Sequence, residues 1–274
     1  MSDAVIPGKI ADKVETPFRR FVSEFAESKV ALGALVVFII ITLLAIFAPW
    51  ITPQNPYDLA ELDIMDGRME PGTVGGAGFT YWLGTDDQGR DVVARLIYGF
   101  RLSVLFGFCL TILGVLMGVF TGAVMGYFGG KTDLISQRLI EIWSSMPELY
   151  LLIIFASIFS PSIGLLIILL SLFGWMGLSD YVRAEFFKNR ALEYVRAAEA
   201  LGLSSSQIMW RHILPNSLTP VITFLPFRMS ASILALTSLD FLGLGVPPDK
   251  ASLGELLAQG KANLDAWWIS LSTF

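Results

Sequence analysis

Two ionisable residues stand where charge is expensive: Glu148 and Arg228 each lie within stretches otherwise fit for a bilayer. A charged side chain at the centre of a membrane helix costs about 2.5 to 3.5 kcal/mol on insertion scales, so each needs a partner or a wet cavity. Counted along the two helices that carry them, both come near mid-bilayer, which predicts an ion pair or a shared place on a solute path. A structural pair with no solute contact is an equal reading. Glu141 is close enough to a helix end to snorkel toward Arg138, and Asp240 falls at the outer end of its span.

The remaining chemistry-bearing residues exclude more than they offer. His212 is the only histidine and has no companions at ligand spacing, so no metal site is predicted. Cys109 is the only cysteine and sits in an apolar run, where a thiol acts as a small hydrophobe. Gly126 to Thr132 approaches a phosphate loop, but its first glycine is one residue too close and a membrane helix precedes it, so the chain is not expected to bind ATP. An intramembrane protease would need its serine and histidine, or paired aspartates, at membrane depth. No catalytic residue is expected, and a net charge of -5 without a basic aromatic stretch excludes nucleic acid as a partner.

The elements that must position these residues are membrane helices. Of 274 residues, 54% are apolar and 16% charged, with a mean hydropathy of +0.64, against about 25% charged in soluble domains. Five spans are predicted: Val30 to Trp50, Leu102 to Phe128, Leu139 to Phe159, Ile163 to Tyr181 and Asn216 to Leu239. Ser160-Pro161-Ser162-Ile163-Gly164 divides the third from the fourth. Gly114, Gly118, Gly122 and Gly126 form a small-residue stripe for a helix of the same chain. The last residues, from Trp267, open another apolar run, and a sixth helix is expected at or beyond the C-terminal end.

Counting Lys and Arg by alternating side gives twelve against six, which places the N-terminal tail (1–29) and the loop 181–215 in the cytoplasm. The segment 51–101 is then external. Thr85 and Gln88 offer a capping box for a short amphipathic helix lying in the outer interface, with Val92, Val93, Leu96, Ile97 and Phe100 on one face and Arg90, Asp91 and Arg95 pointing elsewhere.

The cytoplasmic loop carries the sharpest local pattern. In Glu193-Tyr194-Val195-Arg196-Ala197-Ala198-Glu199-Ala200-Leu201-Gly202, residues Tyr194, Ala197, Ala198 and Leu201 fall at i, i+3, i+4 and i+7. That makes a narrow apolar stripe suited to a groove on another protein, or equally to a lipid surface. Gly202 supplies a left-handed cap, Ser204 starts a second short helix and Pro215 closes it.

This loop, with His212-Ile213-Leu214-Pro215-Asn216, resembles the coupling motif of ATP-binding-cassette importer permeases. Leu83-Gly84-Thr85-Asp86, Gly89-Arg90-Asp91, Gly99, Arg101 and Ser103 resemble the segment before the core in the second permease subunit of oligopeptide and dipeptide systems. Leu239 to Gly245 and Ser252-Leu253-Gly254-Glu255 resemble that family's last external loop. Phe173-Gly174-Trp175-Met176 and Leu253 to Leu257 are most similar to the Yej-type branch, whose systems import oligopeptides and microcin C-like compounds.

The resemblance implies an all-α transmembrane domain of the type I importer (MetI-like) class, in residues 102–274. It implies a bacterial inner-membrane location, a second homologous permease, two ATPase subunits or one fused tandem ATPase holding ATP and magnesium, and a periplasmic binding protein. It makes Glu193, Tyr194, Ala197, Ala198, Leu201, Gly202, Leu214 and Pro215 the contact with the ATPase. The rival reading is a secondary transporter that uses Glu148 and Arg228. Glu148 and Arg228 are themselves not expected at those positions in the family.

Overall fold

The computed structural model describes residues 25–274 except 53, 59, 60, 77, 161 and 248. Most of the expected cytoplasmic tail, 1–24, lies outside the described residues. The chain divides into two units, Met1–Phe47 and Ala48–Phe274.

In the first unit, helix α1 (Lys29–Ile46) starts at Ser28, whose hydroxyl accepts from Ala31 N at 3.3 Å. At 1.5 Å per residue its 18 residues give roughly 27 Å. Phe38, Ile39 and Ile40 are all exposed, as they must be when the solvent is hydrocarbon.

The second unit opens with an irregular segment containing a two-stranded antiparallel hairpin, β1 (Thr73–Val74) with β2 (Thr80–Tyr81), in which Thr73 faces Tyr81. Helix α2 (Val92–Phe128) follows and runs 37 residues without a break. No separate interfacial helix exists among the described residues: the residues expected to form one are the first turns of α2. Nor does Thr85 cap it. The cap is Asp91, whose carboxylate accepts from Val93 N at 3.4 Å and Ala94 N at 3.1 Å.

The third span is broken rather than continuous. Helices α3 (Gly130–Ser144) and α4 (Glu148–Ile158) meet at 65°. Pro147 donates no hydrogen bond and disfavours helical geometry at Met146, which ends α3 at this point. The fourth span reaches further than expected, as α5 (Ile163–Gly174) and α6 (Met176–Asn189), with a discontinuity at Trp175. Beyond α7 (Glu193–Ala200) and a short wide turn, α8 (Thr219–Phe241) forms the fifth, with Pro226 inside it. Helices α9 (Leu253–Ala262) and α10 (Trp267–Thr273) complete the described chain. Among the described residues, four helical stretches are long and apolar enough to cross a membrane, five if the bent pair counts as one span.

The glycine stripe seats α6 on α2. A Cβ at Gly118 would lie 2.9 Å from the Trp175 carbonyl, and one at Gly122 would lie 2.5 Å from that of Ser179. Arg190, just past α6, donates to the carbonyls of Gly126 and Tyr127 at 3.2 and 2.9 Å, satisfying acceptors that the end of α2 leaves over. Arg183 of α6 binds Asp133 of α3 through two parallel contacts, 2.5 and 2.6 Å.

Candidate functional site

Helix α7 is held at both ends and from beneath. Gly202 adopts φ +76°, the left-handed conformation that ends the helix. Ser204 then forms a reciprocal capping box with Gln207: Ser204 N donates to Oε1 at 3.1 Å and Gln207 N to Oγ at 3.3 Å. The turn that follows, Ile208–Ile213, is a π-helix, and Leu214 N reaches back five residues to the Met209 carbonyl. Pro215 supplies the reason: it has no N–H for the Arg211 carbonyl and its ring crowds that oxygen, so the wider turn relieves the clash.

The stripe expected on α7 divides into two. Ala198, with Val195, is buried in the chain's own core beside Ile208, Met209 and Ile213, with Leu214 packed against that cluster. Tyr194, Ala197, Leu201 and Glu193 face outward, Leu201 at 81% exposure. Ala198 and Leu214 therefore brace the helix, while the outward group forms a ridge. Asn189 donates to Ser217 Oγ at 3.0 Å in a buried site, and Ser217 donates to the Ile213 carbonyl at 3.0 Å, tying α6 to the end of the π turn. Asn216 reaches the His212 carbonyl at 3.0 Å and the Tyr194 hydroxyl at 3.4 Å, which lays the tyrosine along the loop. Load applied to the outward ridge has a short polar and apolar route into α2 and α6.

Glu148 and Arg228 do not form the expected ion pair. Arg228 Nη2 donates to the carbonyl of Gly174, the last residue of α5, beside the discontinuity. Gly114 makes room for the guanidinium, which occupies the space a Cβ there would need. Arg228 thus joins α8, α2 and the α5–α6 break. Glu148 opens α4 at the bend and lines a cavity of about 260 Å³ with Trp143, Met146, Phe155 and Phe173.

The segment before α2 joins a buried ionic group that was not expected from the sequence, where Arg90, Asp91 and Arg95 only fell off the apolar face of an interfacial helix. All three are buried, at 2%, 1% and 0% exposure. Asp86 receives Arg90 Nε at 2.7 Å and lies 3.5 Å from Arg95 Nη1, while Arg95 Nη2 binds Glu255 of α9. Asp240 receives the Ser252 hydroxyl, and Trp268 Nε1 donates to the Thr85 carbonyl at 3.2 Å. A Cβ at Gly99 would stand 3.2 Å from Leu253 N. The two stretches that resembled separate external motifs are thus one packed layer. Burial pushes the Asp91 carboxyl up from the ordinary aspartate value to about 6, against the two N–H groups it caps.

A long glycine-striped helix, a broken span beside it and a capped short helix packed into the core of α2 and α6 define a polytopic membrane-protein fold. Residues 114–273 match the model of the binding-protein-dependent transport system inner membrane component, and residues 16–71 match the N-terminal transmembrane domain of oligopeptide transport permease C. The chain belongs to the first of these families. It is 57% identical to the peptidoglycan transport system permease protein YejE of Agrobacterium fabrum over 76% of its own length and 54% of the relative's. With the inner membrane ABC transporter permease protein YejE of Escherichia coli it shares 53% identity over 70% and 57% of the two lengths. With the dipeptide transport system permease protein DppC of Haemophilus influenzae it shares 34% over 94% and 87%. The chain thus spans a little over half the length of the first two. Membership of a binding-protein-dependent family leaves the secondary-transporter reading without support.

Proposed function

We propose that this chain is a permease subunit of an ATP-binding-cassette importer, passing oligopeptides or peptide-like compounds inward across the bacterial inner membrane. The observation that carries it is the outward ridge of α7, Glu193, Tyr194, Ala197 and Leu201, on a helix capped by Gly202 and backed by the chain's own core. An apolar ridge so braced transmits displacement instead of absorbing it. Its receiving groove belongs to an ATPase subunit, where ATP and magnesium bind; two such subunits, or one fused tandem, act on this permease and a homologous second one. A periplasmic binding protein delivers the solute. Peptidoglycan, dipeptide and oligopeptide transport, the terms in the relatives' names, support the solute class, which includes microcin C-like compounds.

In this reading residues 1–29 and the loop 181–215 are cytoplasmic, 30–50 is the first span, 51–101 is periplasmic and 102–274 is the permease core. Glu148, at the bend of the broken span and without an ion-pair partner among the described residues, is the candidate for the solute path. Arg228 stands beside that path as a tie between helices.

Gly202 provides the test. Nothing lies within 4 Å of where its Cβ would be, so a substitution acts through its left-handed backbone alone. Gly202→Asn, which tolerates that conformation, is expected to retain coupled uptake. Gly202→Val is expected to leave ATP hydrolysis while abolishing most uptake. Co-purification should recover ATPase chains and a second permease. Uptake that survives inactivation of the ATPases, or full coupling in Gly202→Val, defeats the reading.

A further inference from the structure

A groove of about 490 Å³ runs along α2 in the half of the helix nearer its N-terminus. Its wall on α2 is Tyr98, Arg101, Leu102, Leu105, Phe106 and Cys109, spaced i, i+3, i+4, i+7, i+8 and i+11, one continuous face. From Tyr98 to Cys109 the face is roughly 17 Å long at 1.5 Å per residue. One leaflet of a hydrocarbon core about 30 Å thick is of the same depth. Ile163 and Ile167 of α5 form the opposite wall.

The groove is amphipathic along its length. Its mouth holds Arg101 and Tyr57, the latter packed edge-on against Tyr98 at 5.3 Å between ring centroids. Below that level every lining side chain is apolar or the Cys109 thiol. Arg101 is exposed and, among the described residues, forms none of the ion pairs or hydrogen bonds seen for the neighbouring Arg90 and Arg95. Lys250, over the Tyr57 ring, is engaged by Asp249 at 3.1 Å. A free guanidinium with tyrosines at the edge of hydrocarbon, above a one-leaflet apolar channel, is complementary to a phosphate head carrying an acyl chain.

We propose that this groove is a binding site for an anionic phospholipid of the leaflet on the Arg101 side, with the phosphate on Arg101 and one acyl chain laid down the α2 face to Cys109. The proposal rests on the chain spanning a bilayer and is independent of which solute is carried.

Cys109 is the chain's only cysteine and lines the groove, so it is a built-in reporter. In the assembled complex, with cysteine-free partner subunits, an environment-sensitive fluorophore on Cys109 would be quenched by phosphatidylglycerol or phosphatidylcholine brominated on the acyl chain. Phosphatidylglycerol is expected to win by roughly fivefold at equal mole fraction, the factor one basic residue near a membrane surface supplies. Arg101→Gln should erase that preference and Arg101→Lys should restore most of it. Native mass spectrometry of the unlabelled complex should find retained phosphatidylglycerol in the wild type, and less in Arg101→Gln and in the groove-filling Leu105→Trp. Equal quenching by both lipids, an unchanged preference in Arg101→Gln, or retention indifferent to both substitutions overturns the site. Absence of quenching by either lipid means that a protein helix covers the groove, which overturns it as well.

Discussion

Arg95 illustrates how a residue's meaning depends on what folds over it. In sequence it is a polar position on an amphipathic turn; in the structure it is fully buried, between Asp86 and the Glu255 carboxylate contributed from 160 residues away. Glu255→Gln would leave two buried arginines facing one aspartate. Removing one partner of a buried pair costs 3 to 5 kcal/mol, and with 23% of Glu255 exposed the low end, about 3 kcal/mol, is expected. Thermal unfolding in detergent checks this, and the charge-balanced double variant Arg95→Met/Glu255→Met should recover part of the loss. Asp91 gives a pH prediction. Its folded pKa of about 6 lies above the ordinary value, so the folded chain binds more protons than the unfolded one between about pH 4 and 6. Its contribution to stability is therefore greatest below that window and lost as pH rises through 6. Asp91→Asn, an equally good cap, should be more stable at neutral pH and flatter across the window. An identical melting profile for the two proteins would refute the assignment.

At the scale of elements, two glycines in apolar helices carry opposite expectations. Gly122 lies where α6 closes on α2, with the Val182 Cβ 2.8 Å from where its own Cβ would stand. Gly122→Ala should cost about 1 to 3 kcal/mol through overpacking. Gly33, in α1, has nothing within 4 Å, so Gly33→Ala should be neutral or slightly stabilising through helix propensity. Melting temperatures of the two single variants decide between a packing stripe and a mere surplus of glycine. The bend at Met146 and Pro147 belongs to this scale too. A proline marks a possible break in any helix, and the sequence alone did not give the 65° change of direction found between α3 and α4.

For the whole molecule, we propose from the uneven distribution of Lys and Arg that the N-terminus is cytoplasmic. Protease added outside spheroplasts should leave an N-terminal tag intact, and permeabilisation should expose it; cleavage from outside would invert every side assigned here. The proposed coupling belongs to this scale as well, because it needs a partner to receive the α7 ridge. Its connections to α2 and α6, through Asn189, Ser217 and Arg190, are where a push from an ATPase would enter the membrane core.

Features whose causes lie within a few residues were legible in the sequence. The apolar runs set the spans because a bilayer demands about 20 such residues. The four-residue glycine spacing marked the α2 face, Gly202 the left-handed cap and Ser204 the start of the next short helix, since each depends on local backbone geometry. Contacts across long separations were decided by tertiary structure alone. Arg228 reaches Gly174 instead of Glu148, Ala198 turns inward while Ala197 stays out, and Asp86, Arg95 and Glu255 close a single buried cluster. Charge in a low-dielectric interior takes whichever partner the packed helices bring within reach, and spacing along the chain does not encode that proximity.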